Sequence, residues 1–310
     1  MAKVIDLKLT ERFDWPSSKP NLMKRNAALT FLLPAFALLT VLTFSSCEKY
    51  RLNRETNASE DNNLAENFFN DVHKVAEEAA KGEELDEEGK TEMVYSFGSC
   101  ATVTVNPAWP DPSFPKTIDV DFGTSPCTGT DGRTRTGKLV YTLTDYYRND
   151  GSVMTITTEN YTVNDYQVDG TRKVTNNGRN GNNNLNFSIE VSGARITTPE
   201  GEVVTWNSTR NREWIEGENT NFLTDGITGI LDDVYLITGS GSGTSRAGRD
   251  FEVEITEALR VELDCRWITA GEMEIRPNDL KTRTIDYGDG DCDQNATVSI
   301  GNRDYDILLR

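Results

Sequence analysis

Apolar and polar residues alternate along most of the chain after Met93, and this period of two constrains the fold more than any other feature. The alternation is clearest in the segments 139–143, 185–191, 251–255, 273–275 and 298–300. Strands with one apolar and one polar face are typical of antiparallel sheets with one side in the core. Turn signals at 149–151 and 169–170 separate such segments. The pattern predicts an all-β fold of about a dozen strands, either an antiparallel β-sandwich or an incomplete barrel.

A single short helix is predicted before the β domain, which we expect to cover residues 91–310. Leu64, Phe68, Val72, Val75 and Ala79 recur at steps of three and four and form one apolar stripe. We expect this stripe to dock on the β domain, with a partner-binding helix as the alternative. Residues 64–90 then comprise the helix and an acidic linker. The polar residues 47–63 are predicted to form a flexible tether.

The N-terminus has the anatomy of a signal peptide. Residues 27–44 carry no charge, follow Lys24 and Arg25, and precede the small residues of Ser45-Ser46-Cys47. A permanent transmembrane helix is the competing interpretation. Residues 1–22 hold three acids and a tryptophan, which fit a signal peptide poorly, so Met23 is an alternative start to Met1.

The sequence Phe-Ser-Ser-Cys at 44–47 resembles the lipobox of bacterial lipoproteins, although that family more often has Leu where this chain has Phe44. The resemblance implies that residues 1–46 are removed and that Cys47 is acylated, so that lipid anchors the protein in a membrane. The mature chain is similar in style to β-rich lipoproteins of the Bacteroidota. In the lipoprotein family an Asp after the cysteine tends to signal inner-membrane retention. Glu48 therefore favours the outer membrane, with the leaflet left open.

The charge balance argues against nucleic acid as a partner. Residues 1–46 hold six of the 32 basic and three of the 50 acidic residues, so residues 47–310 carry a net charge of −21. A surface this acidic repels phosphate backbones and anionic lipid headgroups. The membrane is therefore expected as a partner only through the lipid anchor.

Two similar segments indicate an internal repeat, at about 100–146 and 265–310. Cys100 and Cys127 lie 27 positions apart, as do Cys265 and Cys292. Before the second cysteine the copies read KTIDVDFGTSPC and KTRTIDYGDGDC, with Lys, Thr, Asp and Gly in register. Two unrelated strand–turn units are the alternative. With Cys47 acylated, the other four cysteines allow three pairings. The repeat favours Cys100–Cys127 with Cys265–Cys292, while pairing across the copies stays open.

Few residue types in the β domain could take part in catalysis or metal binding. His73 is the only histidine and lies in the predicted helix, so a Ser-His-Asp or Cys-His site in the β domain would lack its base. A glycan-active enzyme with paired carboxylates remains an alternative. Asp289, Asp291 and Asp293 resemble the start of a calcium-binding loop, but Gln294 stands where an EF-hand requires Gly. A polar turn beside a disulfide is the competing explanation, and no cofactor is expected.

Aromatic and basic side chains give the remaining candidates for ligand binding. Trp206, Arg210, Arg212 and Trp214 share one face of a predicted strand, and Trp109 lies in a Pro-rich loop. Such side chains can bind sugars or anions by stacking and cation–π contacts, whereas packing in the core is the alternative.

Three glycines at alternate positions, Gly239, Gly241 and Gly243, leave one face of another predicted strand bare. A hairpin centred near residue 224 predicts that Trp206 lies across this bare face, opposite Ser242. The alternative is a Gly/Ser linker between domains.

Together these features predict a lipid-anchored envelope lipoprotein with a binding or structural role and no enzymatic activity. A glycan or another envelope protein is the expected partner. A calcium-stabilised adhesive module is a further alternative.

Overall fold

The computed structural model of the protein describes residues 56–87, 95–220, 231–265 and 267–309. The signal peptide 1–46, Cys47 and the first part of the predicted tether lie outside the described residues. One helix, α1 (Asn57–Glu87), precedes thirteen strands. The strands are β1 (Thr102–Asn106), β2 (Lys116–Thr128), β3 (Thr134–Leu143), β4 (Val153–Val163), β5 (Tyr166–Arg179), β6 (Leu185–Thr197), β7 (Val203–Glu216), β8 (Val234–Thr244), β9 (Asp250–Glu262), β10 (Ile268–Pro277), β11 (Arg283–Asp289), β12 (Asn295–Ile300) and β13 (Asp304–Leu308).

All thirteen strands form one open antiparallel sheet in which each strand pairs with its neighbours in sequence, from β1 to β13. Alternate residues of each strand enter the core, as in β6, where Phe187, Ile189 and Val191 are buried and Glu190 is exposed. The mostly β, antiparallel architecture predicted from the period of two is confirmed. The connections between adjacent strands hold two to nine residues, except for the 17-residue connection 217–233 between β7 and β8.

Helix α1 begins at Asn57, seven residues before the predicted start at Leu64. Residues 57–63 therefore form its first turns and do not belong to a tether, and residues 83–87 belong to the helix and not to a linker. Thr56 is a residue type favoured at helix N-caps. The polar residues that suggested a tether are buried because they find partners: the Asp61 carboxylate is fully buried and binds Arg246, whose Nε lies 2.6 Å from Asp61 Oδ1.

The predicted stripe of α1 packs against the sheet. Phe68, Val72, Val75 and Ala79 are at most 7% exposed, and Leu64 packs at the edge of the same core. The helix contacts strands β1 to β7 and also β10. The expectation that the stripe docks on the β domain is confirmed.

Both predicted disulfides are present. Cys100–Cys127 and Cys265–Cys292 each join cysteines whose Cα atoms lie 5.8 Å apart. The two segments of similar sequence also share a hydrogen bond: Asp121 accepts from the backbone N–H of Gly123, at 2.8 Å, and Asp286 accepts from that of Gly288, at 2.9 Å. Disulfides form in oxidising compartments, which indicates an extracytoplasmic location. In the described ranges, no helix is both long and apolar enough to cross a bilayer.

The glycine stripe of β8 lies beside Trp206, as predicted. Trp206 pairs with Gly243, one residue from the predicted partner Ser242, and Trp206 Nε1 lies 3.6 Å from the position of a Cβ on Gly241. The segment is a strand that pairs with β7 and β9, so the linker alternative is wrong. The bare backbone of the stripe makes room for the indole.

We expect Gly243→Ala to lower the free energy of unfolding by about 1–3 kcal/mol, the range for overpacked cores. An added Cβ would lie 2.2 Å from the carbonyl oxygen of Thr205 and 2.9 Å from the ring of Phe251, so the backbone must shift. Gly241→Ala is the matched control, because its nearest neighbour, the Asn207 carbonyl oxygen, lies 3.0 Å away. Urea unfolding of both variants measures the difference, and equal losses would contradict this account.

Candidate functional site

The four candidate residues of β7 lie on one face of the strand, the face that points into the core. Trp206, Arg210 and Trp214 are buried and Arg212 is half-buried, while Asn207 and Thr209 between them are exposed. The structure therefore brings these four residues to one face. It divides them into two pairs, which meet different neighbours.

Trp206 contacts α1 and is 3% exposed. Its Nε1 donates to Asn62 Oδ1 at 3.0 Å, and its ring stacks on Phe69 with ring centroids 5.9 Å apart. The glycine stripe lies beside the indole on the sheet. Trp206 is thus enclosed by the protein itself, in the packing role that was the alternative to ligand binding.

Arg210 also binds the helix. Its Nη2 lies 2.6 Å from Glu66 Oε1 in an ion pair whose arginine side chain is 9% exposed. Beside this pair, burial raises the pKa of the Tyr287 phenol, and the nearby Glu66 carboxylate raises it further. A buried guanidinium that loses its acidic partner costs about 3–5 kcal/mol. The ion pair with Glu66 therefore allows Arg210 to be buried on the inner face of the sheet.

Arg212 lies between two aromatic rings nearer the other end of β7. Its guanidinium carbon is 4.9 Å from the ring centroid of Phe187 and 4.9 Å from that of Tyr235. The guanidinium also donates to the hydroxyl of Tyr147, whose ring stacks on Phe187 at 5.1 Å. These cation–π contacts hold Arg212 in place within the protein.

Trp214 completes this second group, with Asp233 at its centre. The carboxylate of Asp233 accepts from Trp214 Nε1 at 3.1 Å and from the Tyr235 hydroxyl at 3.0 Å. Burial raises the pKa of Asp233, although these hydrogen bonds act in the opposite direction. Arg148 lies 4.6 Å from the centroid of the Trp214 ring, and the Tyr235 ring lies 5.5 Å away. The indole of Trp214 is thus in contact with protein groups at its nitrogen and on its ring.

Sequence reasoning missed Tyr147, Arg148, Asp233 and Tyr235. The same hairpin that placed Trp206 near the glycines pairs Trp214 with Tyr235, so this partner was within reach of the sequence. The two residues from the β3–β4 loop, Tyr147 and Arg148, carry no such signal, because they are far from β7 in sequence: Tyr147 and Arg212 are 65 positions apart.

A groove of about 440 Å³ opens beside Trp214. Its volume lies within the range of about 300–1,000 Å³ that is usual for small-ligand sites. Amide, carboxylate and guanidinium groups dominate its lining, which includes Arg179, Asn183, Asn184, Glu216 and Glu218. Arg179 and Glu218 form an ion pair across it, with Arg179 Nη2 2.5 Å from Glu218 Oε1. The groove can offer hydrogen bonds to a polar ligand and has little apolar surface.

Trp109 belongs to a separate aromatic cluster with Phe114 and Tyr146. The ammonium of Lys116 lies 4.0 Å from the Trp109 ring centroid and donates to two carbonyls of the 107–115 loop, at 3.0 and 2.7 Å. Lys116 is fully buried, and its ammonium group holds the Pro-rich loop in place through these contacts. Tyr146 stacks on Trp109 and is 45% exposed, which leaves its ring as the accessible part of this cluster.

A buried ionic cluster, which sequence reasoning also missed, joins α1 to β3 and β4. Asp71 Oδ1 lies 2.6 Å from Arg133 Nη1 and 2.7 Å from Arg135 Nη2. Arg135 is fully buried and also binds Asp131, and the Tyr161 hydroxyl donates to Asp71 Oδ2 at 3.2 Å. Burial raises the pKa of Tyr161 well above its usual value, and the Asp71 carboxylate adds to the effect. This cluster fixes the middle of the helix on the sheet.

The acids considered for calcium do not come together as a ligand set. Within the part of the chain that the structure describes, no group of three or more His, Cys, Asp or Glu side chains could hold a metal ion. Asp293 accepts hydrogen bonds from the backbone and side-chain nitrogens of Asn295, at 2.8 and 2.7 Å, and so closes a polar turn. His73 is buried in α1 at 8% exposure.

The described residues therefore form an antiparallel sheet with a docked helix, a polar groove beside Trp214 and an aromatic cluster in which Tyr146 is exposed. No protein-family model, no curated protein and no solved structure matches the chain.

Proposed function

We propose that the protein is a lipid-anchored lipoprotein of the bacterial outer membrane with a binding or structural role and no enzymatic activity. The observation that carries this proposal is the pair of disulfides at equivalent positions of the repeat. Such bonds form and persist in proteins exported to oxidising compartments. The lipobox at 44–47 supplies the anchor.

The use of the polar side chains on the inner face supports a non-catalytic role. Arg210 and Arg135 bind acids of α1, and Arg212 binds aromatic rings, so these cations hold the structure together. The contacts of α1 extend from β1 to β10, which supports a sheet that curls around the helix as an incomplete barrel. A helix in this position occupies the interior where a barrel would otherwise hold a ligand.

The groove beside Trp214 favours a glycan as one class of ligand for such a protein. Amide and carboxylate groups are suited to sugar hydroxyls, and the groove presents several of each. The same groove carries the alternative of a glycan-active enzyme, since Glu216 and Glu218 both line it. Glu218 is engaged by Arg179 and Glu216 by Arg260, the latter at 3.3 Å, which favours binding over acid–base catalysis.

The anchor gives a direct test. We expect mass spectrometry of the protein purified from membranes to find Cys47 as its first residue, carrying acyl chains. Cys47→Ser should leave an uncleaved precursor or a soluble form, because two or more acyl chains are needed for stable anchoring. Cys265→Ser is a suitable control, since it removes a disulfide without affecting the lipobox. An unmodified N-terminus upstream of Met23 in the membrane fraction would exclude the proposed anchor.

A further inference from the structure

The open sheet ends in two edge strands, β1 and β13, which differ in what they expose. The apolar residues of β1, Val103 and Val105, pack against the core. In β13, by contrast, Tyr305 is 43% exposed and Leu308 is 53% exposed. These two are half of the four large hydrophobic side chains that are exposed in the described residues. An edge that keeps apolar side chains in water is unusual, because proteins normally shield such edges.

The outer edge of β13 also offers backbone hydrogen-bonding groups. The N–H of Leu309 donates to the carbonyl of Gln294 at 2.6 Å, and the N–H of Ile300 donates to the carbonyl of Arg303 at 2.9 Å. In an antiparallel pair only every second residue directs its backbone groups to the partner strand. Residues 303, 305, 307 and 309 therefore face β12. Asp304, Asp306 and Leu308 direct their N–H and C=O groups to the free edge, with which no other strand of the described residues pairs.

The side chains of β13 determine which kind of strand could pair with its outer edge. Asp304, Asp306 and Leu308 lie on one face of the strand, and Tyr305 lies on the other with Ile307, which packs against the core. Opposite charges at cross-strand positions stabilise a pair of strands, and like charges oppose pairing. An incoming strand with Lys or Arg on one face and apolar residues on the other matches both faces.

The same charges disfavour a second copy of this chain. In a two-fold antiparallel pair centred on Asp306, that carboxylate would face its own copy, and Asp304 would face Leu308. The formal net charge of the whole chain, −18, adds to the repulsion.

We propose that the free edge of β13 is a docking site for an extended segment of another protein, in which basic and apolar residues alternate. The segment would add to the sheet as a further strand, with its backbone bonded to Asp304, Asp306 and Leu308. This inference deepens the binding role proposed above and rests on it, by naming the surface and the kind of partner.

The test uses the purified mature protein and a peptide of alternating lysine and valine as the probe. We expect fluorescence anisotropy to show binding, and hydrogen exchange to show new protection of the Asp304, Asp306 and Leu308 amides. Leu308→Pro removes an outward N–H without touching the bonds to β12, a position where edge strands tolerate proline. Asp306→Lys reverses the charge. Each change should weaken binding at least about tenfold, equivalent to 1.4 kcal/mol.

Glu190→Lys is the matched control, because it reverses an exposed carboxylate on the central strand β6, and it should leave binding unchanged. Circular dichroism and intact disulfides check that each variant is folded. Equal binding by all variants would mean non-specific charge attraction and would overturn the proposal. Protection of the edge amides before the peptide is added would also overturn the proposal. A dimer of the protein that Leu308→Pro dissociates would do the same. Since Cys47 plays no part in these measurements, failure here is separate from failure of the lipid anchor.

Discussion

Replacing Asp71 with alanine is expected to lower the free energy of unfolding by about 3–5 kcal/mol, the cost of breaking a buried ion pair from one side. Asp71 is the carboxylate through which α1 meets Arg133, Arg135 and Tyr161. Arg135 is fully buried, so no water can replace the lost partner. Asp131 would remain as an acidic partner of Arg135.

The exposed ion pair between Asp119 and Lys138 provides the control for this experiment. Its side chains are 34% and 29% exposed, and Asp119→Ala should cost only about 0–1 kcal/mol, as exposed pairs do. Urea unfolding gives both values, and hydrogen exchange of the α1 amides locates the loss. If Asp71→Ala costs no more than Asp119→Ala, or if α1 keeps its protection, the cluster does not hold the helix on the sheet.

The parts of the fold that could be predicted from the sequence are those set by neighbours along the chain. The alternation of apolar and polar residues in segments such as 185–191 depends only on which residues face the core. This alternation predicted an antiparallel all-β domain. Equal spacing of Cys100–Cys127 and Cys265–Cys292 gave the disulfides, because a repeated unit repeats its cross-link. One hairpin register placed Trp206 next to the bare glycines, with an error of one residue.

The contacts that hold α1 could not be predicted, because they join residues far apart in a chain with many acids. Asp71 and Arg135 are 64 positions apart, and nothing local in the sequence distinguishes Asp71 from the other acids of the same helix. Asp61 and Asn62 resembled a tether for the same reason: polar residues normally favour solvent. Their burial follows from Arg246 and Trp206, which the folded sheet supplies. In the candidate site the same holds for Tyr147 and Arg148, because they come from the β3–β4 loop, which is far from β7 in sequence.

Trp206→Ala is expected to lower the free energy of unfolding by about 3–5 kcal/mol, the range for removing a large buried aromatic side chain. Three contacts disappear together in this variant. The stacking on Phe69 is lost, Asn62 loses the hydrogen bond from Nε1, and the space beside Gly241 becomes a cavity. Because α1 contributes two of these contacts, the helix should lose protection from hydrogen exchange before the central strands do.

Trp206→Phe separates the ring from the hydrogen bond. It keeps an aromatic ring near Phe69 but leaves Asn62 Oδ1 without its donor, so we expect an intermediate loss of about 1–3 kcal/mol. Trp109→Ala is the contrasting variant, because Trp109 is only half-buried and contacts a loop in place of the helix. It should leave the exchange of α1 amides unchanged. If the α1 amides of Trp206→Ala exchange no earlier than those of the central strands, the indole stabilises only the sheet. Other residues then hold α1 against the glycine stripe.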